Sequence, residues 1–307
     1  MKPLAVIGNV NVDLIMGPAA PWPQPGTEII VDHNELRVGG AAGNTALAWM
    51  ALGTPFTIAA NIGDDQFGRW LQGEFGAYAS AWPARPEGTT ISVGITHPDG
   101  ERTFFTTKGH LPHFSLGDTR TMLETARLAG GYVLLCGSFL TDALTRDYGA
   151  LFDWLDAQGA SAALDTGWPL DGWTEANCAA TRAWLGRCRL ALMNEIETTT
   201  LTGVADPIEA ARALKAIMPE GAIVVVKRGP DGAIAIDADG ALHKAIAPKV
   251  DVIDTIGAGD VFNAGFLDAL AREEPLTACL EAGVAIASRA VSTFPRSYAP
   301  AQQGDAA

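Results

Sequence analysis

The segment from Asp254 to Phe266, Asp-Thr-Ile-Gly-Ala-Gly-Asp-Val-Phe-Asn-Ala-Gly-Phe, holds the residues best suited to chemistry. Gly257, Ala258 and Gly259 are almost free of side chain. They lead into Asp260 and an apolar pattern at Val261, Phe262, Ala264, Phe266, Leu267 and Leu270 that predicts a helix. Amide N–H groups then gather at a helix N-terminus, where unpaired donors and the positive end of the macrodipole hold an anion without a basic side chain. The small residues let a phosphate come close. Asp260, in the first turn beside that pocket, is placed to accept a proton from a hydroxyl attacking a terminal phosphate. On local sequence alone, the segment equally fits a loop followed by an acidic residue that the helix dipole favours.

Further polar residues fall where apolar runs end. After the apolar residues from Leu4, the stretch Gly8-Asn9-Val10-Asn11-Val12-Asp13 brings Asn11 and Asp13 to the end of a first strand. In open α/β sheets ligands collect at carboxyl strand ends, and a carboxylate there can bind paired hydroxyls. The same residues can simply build a turn. Gly39-Gly40-Ala41-Ala42-Gly43-Asn44 precedes a helix, allows close approach to the backbone, and adds in Asn44 both a donor and an acceptor. Asn194-Glu195-Ile196-Glu197 follows another apolar run; Glu197 either holds water around Mg²⁺ or is a charged first helical turn. Lys227-Arg228-Gly229-Pro230-Asp231-Gly232 closes a further strand, its two cations reaching phosphates or facing solvent. No segment satisfies GxxxxGK[ST] or GxGxxG, which removes Walker and dinucleotide-binding readings.

The elements that position these residues alternate. Strands are expected at Leu4 to Gly8, Thr57 to Ile62, Tyr132 to Cys136, Ala160 to Leu164, Leu190 to Met193 and Ile223 to Val226. Helices are expected at Gly43 to Leu52 and Asp65 to Phe75, and between the later strands. Two closing helices follow a hairpin of Ala233 to Asp237 with Leu242 to Ala245. Such βα alternation implies a parallel sheet covered on both faces. An extended stretch from Glu28 to Val38, and a hairpin of Thr90 to Thr96 with Arg102 to Thr107 around His97-Pro-Asp-Gly100, stand apart from that core. The residues from about Ala301 read as a frayed tail.

Composition narrows the class. The chain has 307 residues, 48% apolar and 18% charged, and fits one large α/β unit with a small appendage. A mean hydropathy of +0.14 and the lack of a long apolar run argue against a membrane span. The N-terminal apolar stretch is broken by Asn9, Asn11 and Asp13, so export is not expected and a cytoplasmic location is. A net charge of -14 argues against nucleic acid as a partner. Cys136, Cys178, Cys188 and Cys279 lack zinc spacing and read as reduced core thiols.

From Leu4 to about Pro300, in motif content and order, the chain resembles the PfkB or ribokinase-like carbohydrate kinases. Their C-terminal signature needs Asp254, the Gly257 to Gly259 triplet, Asp260 and the later pair Ala264 and Gly265. The resemblance implies an α/β, ribokinase-like fold in a single domain, 1–307. A central, mainly parallel sheet is flanked by helices on both faces, and a small β-sheet lid forms from segments around 13–16, 28–38 and 90–107. It implies an ATP-dependent kinase for a hydroxyl of a sugar or sugar-like molecule, with Asp260 as base and the amides of Ile256 to Gly259 stabilising the transferred group. Asn11, Asp13, Gly39, Gly40 and Asn44 are then acceptor residues. Asn194, Gly229, Gly232 and Thr255 belong to the nucleotide, and Glu197 to Mg²⁺ through water. Glu195 is a bystander, and a contact from the Gly229 backbone is favoured over Lys227 or Arg228. A monovalent cation and a homodimer paired through the lid are compatible with the family.

Two other readings remain open. One is a nucleoside acceptor of adenosine or pseudouridine type, with Trp22, Phe104 and Phe105 stacking on a base instead of forming the lid's own core. The other is a non-catalytic sugar-binding regulatory protein, against which the intact Asp260 argues.

Overall fold

The short runs Leu4–Ile7, Tyr132–Cys136, Leu190–Asn194 and Ile223–Lys227 are apolar on nearly every residue, so both their faces must be covered. The computed structural model, which describes residues 1–98, 101–124 and 126–298, does this with helices on either side. Its first half runs β1 (Leu4–Ile7), β2 (Asn11–Gly17), β3 (His33–Gly39), α1 (Ala41–Leu52), β4 (Thr57–Ala59), β5 (Ile62–Gly63), α2 (Gln66–Phe75), β6 (Ala84–Arg85), β7 (Ile91–Thr96), β8 (Arg102–Thr106) and α3 (Leu116–Leu123). There follow β9 (Tyr132–Cys136), α4 (Asp142–Arg146), α5 (Tyr148–Ala157), β10 (Ser161–Asp165), α6 (Glu175–Leu185), β11 (Leu190–Asn194), α7 (Glu195–Thr202) and α8 (Pro207–Ile217). The chain closes with β12 (Ile223–Lys227), β13 (Ala233–Ile236), β14 (Leu242–Ala245), α9 (Ala258–Ala271) and α10 (Leu276–Ser292).

Eight strands form the large sheet in the order β14-β13-β12-β11-β10-β9-β1-β4. It is parallel from β4 to β12 and antiparallel only where β13 and β14 turn back. The two-residue period of a strand sorts the core. Leu134 and Cys136 pack with Trp49, Phe266 and Leu280 of α1, α9 and α10. Val133 and Leu135 pack on the other side, with Leu151, Leu185 and Leu214 of α5, α6 and α8. A second sheet, β3-β2-β7-β8, is the expected lid, with β2 and β7 parallel and the outer pairs antiparallel.

Several boundaries move. The run from Thr57 does not continue to Ile62: β4 stops at Ala59, and Ile62 pairs with Ala84 in a separate two-stranded sheet. Between them the buried Asn61 turns its side chain to the His110 carbonyl at 2.7 Å, which draws the chain off the large sheet. The stretch from Glu28 becomes a strand only at His33. In the lid hairpin, Asp99 and Gly100 lie outside the described residues, as does the tail from Ala301. Phe104 and Phe105 are exposed, and Trp22, also exposed, lies 5.3 Å from the His97 ring, so they build no buried lid core.

Trp49 ties the two halves of the active face together. It is fully buried on α1, and its indole N–H donates to the Ala264 carbonyl on α9 at 3.0 Å. Trp49→Ala should cost about 3–5 kcal/mol, as buried large-to-small changes do. Chemical denaturation should show a lower midpoint with an unchanged slope, and Trp49→Phe should fall between the two.

Candidate active site

β1 ends at Ile7, and the polar residues after it do not form a simple turn, because Asn11 and Asp13 already belong to lid strand β2. Both are buried, and Asn11 Nδ2 donates to Asp13 Oδ1 at 2.8 Å. Asp13 stands opposite Arg37 on β3, and Gly39 opposite Asn11. A Cβ on Gly39 would lie 2.1 Å from Asp13 Oδ1, so only glycine leaves room for the carboxylate. At Gly40, φ is 85° and a Cβ would meet the Asn9 carbonyl at 2.4 Å. That carbonyl accepts from Ala42 N–H and Asn9 Oδ1 from Ala41 N–H, which seats the start of α1 on the strand end. Burial, eased by the Arg37 charge, raises Asp13 to about 6.

α9 begins at Ala258 with Gly257 as its cap, left-handed at φ 73° and without a capping side chain. Asn44 reaches across from α1 to close the back of this turn: a Cβ on Gly257 would lie 2.6 Å from Asn44 Nδ2. The same Nδ2 donates to Asp260 Oδ2 at 2.9 Å, and Thr45 Oγ1 donates to the Asp260 carbonyl at 3.2 Å. Asn44, expected beside the acceptor, thus also orients the Asp260 carboxylate. Burial, then the Asp165 charge, raise Asp260 to about 6, while the Asn44 hydrogen bond and Lys227 oppose them and Asp13 adds to the rise.

The loop before α9 differs from expectation. Asp254 Oδ1 accepts the Ile256 N–H at 2.9 Å, and Ala258 N–H donates to the Thr255 carbonyl at 3.2 Å. The Ile256 and Ala258 amides are therefore committed within the loop and are not free donors to an anion. Asp254 is held by Arg37 at 2.6 Å and Arg296 at 2.9 Å, with Arg102 at 3.8 Å. Burial would raise this carboxyl, but the Ile256 N–H and the two nearer guanidinium groups outweigh it and keep it ionised. Arg102 also donates to the Thr255 hydroxyl. Arg37 Nη2 and Arg296 Nη1 are buried without a hydrogen-bond partner among the described residues. An open cleft of about 600 Å³ between lid and loop is lined by His33, Glu35, His97, Arg102, Asp254 and Thr255; it stops short of Asp260.

On the far side, Asn194 and Glu197 cap α7 reciprocally, each accepting the other's backbone N–H at 2.8 Å. Glu197 is buried, and burial followed by the Asp165 charge raises it to about 7. Gly229 and Gly232 make the turn after β12 with φ of 54° and 84°; a Cβ on Gly232 would lie 2.0 Å from the Ala245 carbonyl, while Gly229 is open. Neither cation before that turn is free in solvent. Lys227 turns inward to Asp165 at 2.6 Å, and Arg228 pairs with Glu195, the expected bystander, at 2.7 Å. Among the described residues, no group of three or more His, Cys, Asp or Glu is placed to hold a metal. The donors nearby are a few carboxylate oxygens, a set that suits Mg²⁺ retaining most of its water.

Asn44 and Asp13 on one side and Glu197 on the other thus converge on Asp260 at the start of α9, while Gly229 and Gly232 stay within their own turn. Asn9, Arg37, Asp165, Asn263 and Arg296 join them unannounced. Asp165 ends an apolar strand run just as Asn194 does, a signal that could have found it; Arg296, beyond α10, carries none.

The sequence profile described as pfkB family carbohydrate kinase matches residues 1–298. The chain belongs to the PfkB family of carbohydrate kinases. This PfkB kinase is 29% identical over 270 residues to 1-phosphofructokinase of Escherichia coli (strain K12), covering 86% of this chain and 83% of that protein. To aminoimidazole riboside kinase of Salmonella typhimurium it is 28% identical over 305 residues, covering 89% and 82%. Among solved structures, a PfkB protein from Polaromonas sp. JS666 superposes with a TM-score of 0.79 at 22% identity, over 96% of this chain and 98% of the other. Arabidopsis thaliana ribokinase complexed with ribose and ATP superposes with a TM-score of 0.77 at 22% identity, over 97% and 96%. The fold is ribokinase-like.

The raised carboxyls of this PfkB kinase make its stability depend on pH. Asp13 and Asp260 titrate near 6 in place of 3.8, and Glu197 near 7 in place of 4.5. Each holds its proton more tightly when folded, so its contribution is full below its ordinary value and lost as pH rises through 6 to 7. His110, lowered from 6.5 to about 4 by burial, acts oppositely as pH falls through that range, one group against three. The ligand-free protein should therefore melt at a higher temperature near about pH 5.5 than near about pH 8. Asp13→Asn or Asp260→Asn should each flatten that slope in a thermal-shift series.

Proposed function

We propose that this kinase transfers the γ-phosphoryl group of ATP to a hydroxyl of a sugar or sugar-like acceptor, with Asp260 as general base. One observation carries the reading: the Asp260 carboxylate stands in the first turn of a helix whose N-terminus no side chain caps, held by Asn44 and within range of the Asp13 charge. Asp13 and Asn11 accept and donate to neighbouring acceptor hydroxyls, which aims one more hydroxyl at the start of α9. Asp260 takes its proton as the oxygen bonds to phosphorus and the bond to ADP breaks. The N–H groups of Gly257 and Gly259 stabilise the charge on the transferred group. Thr255, Asn194, Gly229 and Gly232 border the nucleotide. Glu197 would hold water of a Mg²⁺ ion, which when bound neutralises nucleotide phosphate charge. Lid closure excludes water as a competing acceptor.

A phosphorylated sugar is the second reading. The unpartnered Arg37 Nη2 and Arg296 Nη1 favour an anionic group on the acceptor side, and the name of the Escherichia coli relative points the same way. Asp254 already faces two guanidinium groups, so a monovalent cation has little to neutralise there. Exposed Leu36, Phe104 and Phe105 on the edge strands β3 and β8 support pairing of two copies through the lid. The free, buried cysteines suit a reducing compartment such as the cytoplasm.

An ADP-release assay with sugars, sugar phosphates and nucleosides tests the reading; turnover with none of them would overturn it. With the best acceptor, kcat/KM should fall as pH drops through about 6, where Asp260 takes up its proton. Asp260→Asn should reduce kcat by about 10²- to 10⁴-fold with both ligands still bound. Asp13→Ala should weaken acceptor binding by about tenfold or more and leave ATP binding unchanged, as calorimetry would show.

A further inference from the structure

Behind the anion loop lies a buried ion pair to which the chemistry above gives no task. Lys227, last residue of β12, places Nζ 2.6 Å from Asp165 Oδ2 at the end of β10 and 3.3 Å from Asn263 Oδ1 on α9. Asn263 Nδ2 closes the triangle by donating to the same Asp165 oxygen at 2.6 Å. The Lys227 and Asp165 side chains are only 12% and 8% exposed. A buried pair of this kind is seldom held for stability, because desolvation offsets most of the attraction and an apolar pair would fill the core as well. Its place suggests another reason. A Cβ on Gly259 would lie 3.2 Å from Lys227 Nζ, and its three nearest atoms all belong to Lys227. The positive end of the pair therefore faces the loop, and the bare backbone of Gly259 permits the approach.

We propose that Lys227 is the charge-stabilising side chain of the anion pocket, held by Asp165 and Asn263 against Gly259 to meet the nucleotide's terminal phosphates. The inference rests on the kinase reading. Burial pulls the ammonium toward neutrality, but Asp165 first, then Glu197 and Asp260, outweigh it and keep the charge in place. A fixed charge in a dry pocket needs no reorganisation when the anion arrives. Lys227 thus supplies what the loop lacks once the Ile256 amide is committed to Asp254.

Calorimetry with Mg²⁺ and either the β,γ-imido analogue of ATP or AMP tests this without turnover. K227M should weaken the analogue by about 10- to 100-fold and AMP by no more than about twofold. K227R should keep most of the affinity. The double variant K227M/D165N, which removes both charges and leaves no unpaired carboxylate, should behave as K227M does even where the single change impairs folding. Equal loss for both ligands, or full analogue binding by the double variant, would overturn the inference and leave the pair a structural one. A wild-type protein that ignores the analogue would sink the kinase reading itself, a result distinct from either.

Discussion

The Asp260 carboxylate, partly buried at the start of α9 and tied to three other elements, constrains this structure more than any other group. Asp260 is raised by burial and by Asp165, and it is pulled back by the Asn44 hydrogen bond and the Lys227 charge. Those groups come from α1, β10 and β12, so no single element sets the basicity of this carboxylate. The large sheet matters chiefly because its strands end together, at the edge where α9 starts. Trp49 and Thr45 bind α1 to α9 at the same place, fixing the distance that the Asn44 hydrogen bond requires.

Most of the architecture was legible because apolar runs at β1, β9, β11 and β12 allow little but a covered parallel sheet. The lid was legible as extended stretches apart from that alternation, although the true start of β3 was hidden in a polar segment without a turn signal. The break between β4 and β5 could not be read, since it rests on Asn61 finding a carbonyl 49 residues away. Among the site residues, those inside short motifs were found, and those assembled by long-range pairing were not. Asp165 and Arg296 lie in separate stretches of chain from the residues they hold, and sequence spacing carries no information about such partners.

The glycines illustrate how far local reading reaches. The Gly39-Gly40 pair suggested only close approach, but the cause differs at each position. Gly39 yields space to the Asp13 carboxylate, whereas Gly40 both takes a left-handed backbone and clears the Asn9 carbonyl that seats α1. Gly259 yields space to the Lys227 side chain. A loop of small residues can therefore make room for the protein's own side chains as well as for a ligand, and only the second was visible in the motif.

Charge is divided across the site in a way that explains why a protein with net charge -14 can receive anions. Cations are few but placed beside carboxylates: Arg37 and Arg296 with Asp254 and Glu35 at the lid side, Lys227 with Asp165 at the sheet side. Close juxtaposition of opposite charges cancels much of their field at a distance and leaves it strong only within a few ångströms. Between the two clusters lie the helix end and Asp260. Long-range attraction of anions is thereby given up in favour of a field confined to the few ångströms around the helix end.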